Sequence, residues 1–178
     1  MIKNIKAHDC VLLYLKIVNM DIKVSNIIYE TTTDGVGFRT SIYCQGCKHH
    51  CPGCHNPQTW SMDGGKCYTI KELYDIIMSD EFSDVTFTGG DPLFQVEGFT
   101  ELAKMIKNNS NKTIWCYSGY TYEEIKENSK MSVLLPFLDV LVDGRFILEK
   151  RNTDLKFRGS DNQRIIHLKD GEIEWIEE

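Results

Sequence analysis

Four of the chain's seven cysteines fall within eleven residues, in the run Cys44-Gln-Gly-Cys47-Lys-His-His-Cys51-Pro-Gly-Cys54-His55-Asn56. Thiols this crowded, in an odd total, do not suit the spread disulfide framework of a small secreted domain. They suit metal or cluster binding in a reducing compartment. Lys48, His49, His50 and His55 make the loop too polar for a core segment, which argues against merely buried, apolar cysteines. Two site chemistries compete. A four-cysteine zinc site would use Cys44, Cys47, Cys51 and Cys54, but such sites usually pair two short knuckles across a longer loop, and one tight loop strains the tetrahedron. The other uses Cys47, Cys51 and Cys54 at the spacing C-x3-C-x2-C. Ordinary electron-transfer clusters take four cysteine ligands. Three thiolates would hold three irons of a 4Fe–4S cluster and leave the fourth iron open to a substrate. The spacing favours this second chemistry.

The remaining sequence predicts an α/β domain around that loop. Ile22–Tyr29 and Phe38–Tyr43 are rich in β-branched and aromatic residues and read as strands, the second running into the cysteines. Thr69-Ile-Lys-Glu72 is a capping box that opens a helix with Ile70, Leu73, Tyr74, Ile77 and Met78 on one face. Asp84–Thr88 reads as a strand ending at Gly89-Gly90-Asp91-Pro92, and Val96–Lys107 as a helix. Thr113–Tyr117 reads as a strand ending at Ser118-Gly119. Thr121–Glu124 opens another capped helix, and Phe137–Val142 is a strand ending at Asp143-Gly144. This alternation predicts a parallel sheet with crossover helices, in which functional groups gather at the carboxyl ends of the strands. The cysteine loop, Gly89–Pro92, Tyr117–Gly119 and Asp143–Arg145 all sit at such ends, so one shared site is expected.

Composition bounds the partners. The 178 residues carry 20 Lys+Arg against 26 Asp+Glu, a net charge of −6, and an acidic chain is poorly suited to gripping a phosphate backbone, so no nucleic-acid partner is expected. Hydrophobic residues at 42% and charged residues at 26% are ordinary globular values that argue against disorder. The apolar run Cys10–Val18 is broken by Lys16 and is far short of the ~20 residues of a membrane span. No small-residue cleavage site follows it, so a cytoplasmic protein with no membrane partner is expected. Met20 opens a segment that reads as a natural start to the first strand, which divides the chain into an N-terminal extension, 1–19, and a single domain, 20–178.

With Cys47-x3-Cys51-x2-Cys54 after a strand and Gly89-Gly90-Asp91-Pro92 after a later one, the chain resembles the radical S-adenosylmethionine (SAM) enzymes. More segments resemble one branch, the activating proteins of anaerobic, class III ribonucleoside-triphosphate reductases. They are Asp34-Gly-Val-Gly-Phe-Arg39, Gly46–Asn56, Gln58-Thr-Trp60, Thr88–Leu93, Ile114–Tyr120, Asp139–Phe146 and Arg158-Gly-Ser-Asp-Asn-Gln163, and the likeness covers roughly residues 25–168. The resemblance implies a partial (β/α) barrel of the radical SAM type with a mostly parallel sheet. It implies one 4Fe–4S cluster on Cys47, Cys51 and Cys54, and SAM as the second cofactor. The SAM amino group would be held at Gly89, Gly90 and Asp91, with the Asp91 carboxylate accepting from the ammonium. Gly53 stands where many superfamily members carry an aromatic, so the Gly53 backbone and the His55 ring are the candidate adenine contacts, with a solvated loop histidine as the alternative for His55. Trp115, Tyr117 and Ser118 would line the SAM pocket or serve as core and turn residues. Arg39 would contact SAM or the partner, or form a structural ion pair. Cys44, Cys10, Cys67 and Cys116 have no counterpart in the motif.

The implied reaction is reductive cleavage of SAM at the cluster and formation of a glycyl radical on the large reductase subunit, with an electron donor such as flavodoxin. No catalytic residue beyond the cluster and SAM is required. Arg145 and Arg158–Gln163 would form part of a mouth that admits a loop of the partner. The alternatives are an activase of another glycyl radical enzyme, of the pyruvate formate-lyase type, and a non-catalytic metal-binding interaction module.

Overall fold

The structure is a computed structural model that describes residues 20–177. The extension 1–19, with Cys10, lies outside the described residues. The chain runs through β1 (Asp21–Thr31), β2 (Arg39–Cys44), β3 (Lys66–Thr69), α1 (Ile70–Met78), β4 (Asp84–Gly89), α2 (Val96–Asn109), β5 (Ile114–Tyr117), α3 (Tyr122–Glu127), β6 (Val140–Asp143), β7 (Arg164–Lys169) and β8 (Glu172–Ile176). All eight strands belong to one sheet, in the order β3-β1-β2-β4-β5-β6-β7-β8.

Only the centre of the sheet is parallel: β2 pairs with β4, β4 with β5, and β5 with β6. On one side β1 pairs antiparallel with β2 and β3, and on the other β7 pairs antiparallel with β6 and β8. The mostly parallel sheet expected from the sequence is therefore corrected to a mixed one. The physical reason lies in the connections. A parallel pair needs a crossover of a dozen or more residues, which α2 and α3 help to supply, whereas a short link turns the chain straight back. Residues 32–38 between β1 and β2 are too few for a crossover. Between β7 and β8 stands Asp170-Gly171, with φ of 54° and 81°, as the first and second central residues of a type I′ hairpin require.

Strand alternation divides the sheet into two faces. Ile42 and Cys44, Val85 and Phe87, Ile114 and Cys116, and Leu141 share one apolar cluster with the buried sides of the three helices. From α1 this cluster takes Ile70, Leu73 and Ile77, and from α2 it takes Phe99, Leu102 and Ile106. The intervening residues Trp115, Val140, Val142 and Ile165 form a second, smaller cluster, against which Tyr117 and Phe157 pack. This second face carries the candidate site. The capping boxes at Thr69 and Thr121 are both formed, with Glu72 and Glu124 reaching back to the cap backbone, so α1 and α3 begin where the sequence predicts.

Arg39 is 1% exposed and sits beneath the site face rather than at its mouth. Its guanidinium donates to Thr86 Oγ1 (2.6 Å), Val36 O (3.0 Å), Val85 O (2.5 Å) and Thr113 O (3.1 Å). It lies 3.7 Å from Asp84 and 5.4 Å from the centre of the Trp115 ring. Burial pulls the guanidinium below its ordinary pKa, and Asp84 opposes that shift. Of the two roles expected for Arg39, this is the structural one. Arg39→Met keeps the aliphatic stem and strands several buried acceptors. It is expected to lower the urea unfolding free energy of the cluster-free chain by roughly 3 kcal/mol. A loss under about 1 kcal/mol, within the range of a simple surface pair, would remove Arg39 from the core of the fold.

Candidate metal centre

A cavity of about 450 Å³ opens at the carboxyl ends of the parallel strands. Its walls come from Tyr43 at the end of β2, Thr88–Gly90 after β4, Tyr117–Gly119 after β5, and Gly144 and Phe146 after β6. The convergence expected from the strand ends is thus present. Cys47, Cys51 and Cys54 border this same cavity, and all three thiols are free.

The loop that carries them is fixed at its base by backbone. Gly46 N donates to Thr59 O at 2.7 Å, Cys47 N to Trp60 O at 3.1 Å, and Cys54 N to Cys51 O at 3.0 Å. The main chain also bears on the electrostatics of the three sulfurs. Burial pushes the Cys47 thiol up, and the N–H groups of His49 and His50 oppose it. Burial likewise pushes Cys51 up, opposed by the N–H of Phe146. Asn56 N lies 3.4 Å from Cys54 Sγ. An N–H···S contact of this kind is a recognised means of setting the potential of an iron–sulfur cluster, and three free thiols on one cavity wall fit one. Among the described residues no three His, Cys, Asp or Glu side chains converge tightly enough to hold a single ion. A cluster, whose thiolates sit on separate irons, does not need that convergence.

Cys44 stands apart. It is fully buried in the apolar cluster under the helices, where burial pushes its thiol well up. Cys116 lies in the same cluster and Cys67 is exposed on β3. A four-cysteine site with Cys44 therefore has no support in the fold.

Gly89 and Gly90 border the cavity, and both are required by close backbone approach. A Cβ on Gly89, whose φ is +95°, would stand 2.7 Å from the Cys44 nitrogen, and one on Gly90 would stand 2.4 Å from Gly46 O. Asp91, the residue expected to accept from the SAM ammonium, is engaged within the protein. It is 2% exposed and is not among the residues bordering the cavity. Its carboxylate accepts from Leu93 N (3.0 Å), Gly119 N (3.1 Å), Ser118 Oγ (3.1 Å) and His49 Nε2 (2.8 Å).

His55 borders the cavity and lies 5.4 Å from Phe146, ring centre to ring centre. Gly53 does not border it; its φ of +73° and a Leu148 methyl 2.8 Å from its would-be Cβ account for the glycine. Tyr117 and Ser118 border the cavity, whereas Trp115 is buried against Phe157. At the far end Tyr43 donates to Asp34 Oδ2 at 2.8 Å, and burial followed by this bond pushes the phenol up. Arg158, Gly159 and Gln163 complete the wall. Gln163 Oε1 accepts from Gly159 N at 2.9 Å and Gln163 Nε2 donates to Gly144 O at 3.0 Å, which fastens that segment to the end of β6. Sequence reasoning missed His49 and Phe146. The position of His49 between two candidate ligands was the available signal for the first. Nothing local marks the second.

Residues 33–166 match the family described as the 4Fe-4S single cluster domain. The chain is 37% identical over 143 residues to the anaerobic ribonucleoside-triphosphate reductase-activating protein of Vibrio cholerae serotype O1, spanning 75% of this chain and 90% of that one. It is 35% identical over 146 residues to the protein of that name from Enterobacteria phage T4, spanning 78% and 89%. It is 33% identical over 145 residues to that of Escherichia coli K12, spanning 76% and 92%. Among solved structures, QueE from Escherichia coli aligns with a TM-score of 0.52 at 17% identity, over 60% of this chain and 56% of that one, which is a likeness of fold. With a cluster-domain match over most of its length and relatives of one name aligned over nearly theirs, the chain belongs to the family of anaerobic ribonucleoside-triphosphate reductase-activating proteins.

Proposed function

We propose that residues 20–178 act as a single radical SAM domain that activates anaerobic ribonucleoside-triphosphate reductase by forming a glycyl radical on its large subunit. The observation that carries this reading is the placement of three free thiols, spaced C-x3-C-x2-C, on one wall of a cavity that also contains the Gly89–Gly90 turn. The names of the relatives supply the reductase as the partner. The hollow side of the sheet is read as the open side of a partial barrel.

When bound, the reduced cluster and SAM supply the electron transfer and the hydrogen abstraction. The chain's own residues hold, orient and seclude. Cys47, Cys51 and Cys54 ligate the cluster. The backbone at Gly89 and Gly90 receives the amino-acid end of SAM, because only glycine leaves the main chain this accessible. Asp91 acts from behind, holding Ser118, Gly119 and His49 in place. The His55 ring, against Phe146, is the adenine contact in this reading. Tyr117, Phe146 and Phe157 wall the cavity with rings and keep water from the reacting atoms. The exposed Arg145 and the fastened segment 158–163 form the rim that meets a loop of the reductase, and a flavodoxin-type protein delivers the electron.

The test is SAM cleavage after anaerobic reconstitution with iron and sulfide, with dithionite as reductant and 5′-deoxyadenosine as the product measured, with and without the reductase. Wild-type chain is expected to yield product and, with the reductase present, the glycyl radical signal. Cys51→Ala is expected to lose both. Cys44→Ala, which changes the opposite face, is expected to keep its iron content and product. A fully loaded wild type that makes no product even with the reductase would leave the cluster without this function.

Gly90→Ala forces β4 away from the cysteine loop. A misplacement near 1 Å costs about 100-fold where chemistry depends on alignment, so a loss of that order in 5′-deoxyadenosine is expected. A rate within about twofold of wild type would remove Gly90 from the SAM-binding turn.

A further inference from the structure

His49 is a polar side chain buried where the ordinary expectation is a solvated loop histidine. Its side chain is 4% exposed, and its Nε2 donates to Asp91 Oδ2 at 2.8 Å. The ring meets Tyr120 edge-on at 4.5 Å. Gly119 leaves the space for it: a Cβ there would fall 2.4 Å from His49 Cδ2, although the backbone of Gly119 lies outside the positive-φ region and would otherwise tolerate alanine. Three segments thus close around one imidazole. They are the cysteine loop, the turn after β4 and the turn after β5.

What this ring holds is the part of the loop that presents Cys47. Burial pushes the Cys47 thiol up, and the main-chain N–H groups of His49 and His50, one and two residues beyond Lys48, oppose that push. His50 has φ of +48°, a left-handed conformation that a non-glycine residue keeps only when its surroundings enforce it. The neighbouring His50 ring stacks on Trp60 at 4.8 Å, so the two histidines pin the turn on both sides.

We propose that His49 is a positioning residue: by donating to Asp91 it locks the His49–His50 turn against the Gly89–Asp91 turn, and so sets the main-chain N–H contacts to the Cys47 sulfur. The proposal rests on the cluster reading above and adds a determinant of the cluster's reduction potential. Contacts from N–H to sulfur stabilise the more negative, reduced state of a cluster. Their loss shifts the potential downward.

The experiment compares wild type, His49→Ala, His49→Gln, Gly119→Ala and the double variant His49→Ala/Gly119→Ala. Each is reconstituted anaerobically, assayed for iron and sulfide per chain, and titrated for midpoint potential by the EPR signal of the reduced cluster. His49→Ala is expected to shift the midpoint to more negative values and alter the EPR signal. His49→Gln, which keeps an N–H donor, is expected to fall nearer wild type. Gly119→Ala is expected to reproduce the His49→Ala shift, because the new methyl displaces the ring, and to add nothing when His49 is already alanine. Loss of the cluster from His49→Ala, with the melting temperature of the apo chain unchanged, is the same loss of positioning in full. A wild-type midpoint and spectrum in His49→Ala overturns the proposal, as does a Gly119→Ala increment of equal size with and without His49. Should His49→Ala fail to fold, Gly119→Ala alone decides, and wild-type behaviour there overturns the proposal. Failure of the wild type to take up iron and sulfide would instead strike the cluster reading, so the two failures are distinguishable.

Discussion

The site depends on two backbones lying against each other. Gly90 N donates to Cys44 O and Asp91 N to Gly46 O, both at 2.9 Å, where β2 and β4 leave the sheet. Side chains at Gly89 or Gly90 would drive into the main chain of residues 43–46. This contact ties the root of the cysteine loop to the turn after β4, so the thiols and the cavity-facing backbone of Gly89 and Gly90 are placed by the same hydrogen bonds. A parallel pair of central strands is well suited to this, because both chains exit at the same end. Of the antiparallel flanks, β1 adds to the root of the loop, where Gln45 N donates to Lys23 O at 2.9 Å.

Alternation along the strands then assigns the chemistry. Tyr43 and Cys44 are adjacent in sequence but belong to opposite faces, one at the cavity and one in the core. Tyr117 and Cys116 divide in the same way. A cysteine one residue out of phase is lost to the site however near it stands in sequence. The four-cysteine alternative fails on this point, which spacing within the loop could not decide.

What was legible in the sequence was local. The two capping boxes, the helical faces and the central strands follow from residues within a few positions of one another, except that β6 begins at Val140, three residues later than its apolar run suggests, because Leu135–Phe137 forms a 3-10 turn. The antiparallel flanks were less legible for different reasons. β3 is a four-residue edge strand with two polar or charged ends, and its partner β1 is more than 40 residues away. β8 is exposed along its whole length and lacks a half-buried signature. Its hairpin signal, Asp170-Gly171, was present and carried the information that the strands before it lacked. In the site, the cysteines and glycines were legible as types at spacings. The partners of Asp91 were not. His49, Ser118 and Gly119 come from two other segments, up to 42 residues away, and the Asp91 carboxylate joins them.

That junction fixes His49, which lies inside the eight-residue span from Cys47 to Cys54 that carries the three thiols. Cys54 Sγ accepts from Asn56 N just beyond the loop, while the main chain at His49 and His50 opposes the upward push of burial on Cys47, and that at Phe146, just after β6, opposes it on Cys51. Because N–H groups of the main chain cannot be exchanged by substitution, their aim is controlled by whatever fixes the backbone. Near Cys47 the backbone is held by the buried His49–Asp91 bond and the His50–Trp60 stack; near Phe146, Gln163 fastens segment 158–163 to Gly144. In the proposed arrangement Asp91, His49, His50 and Gln163 thus act on the backbone rather than as general acids or bases. That division of labour is what chemistry carried by a cluster and a cofactor asks of its protein.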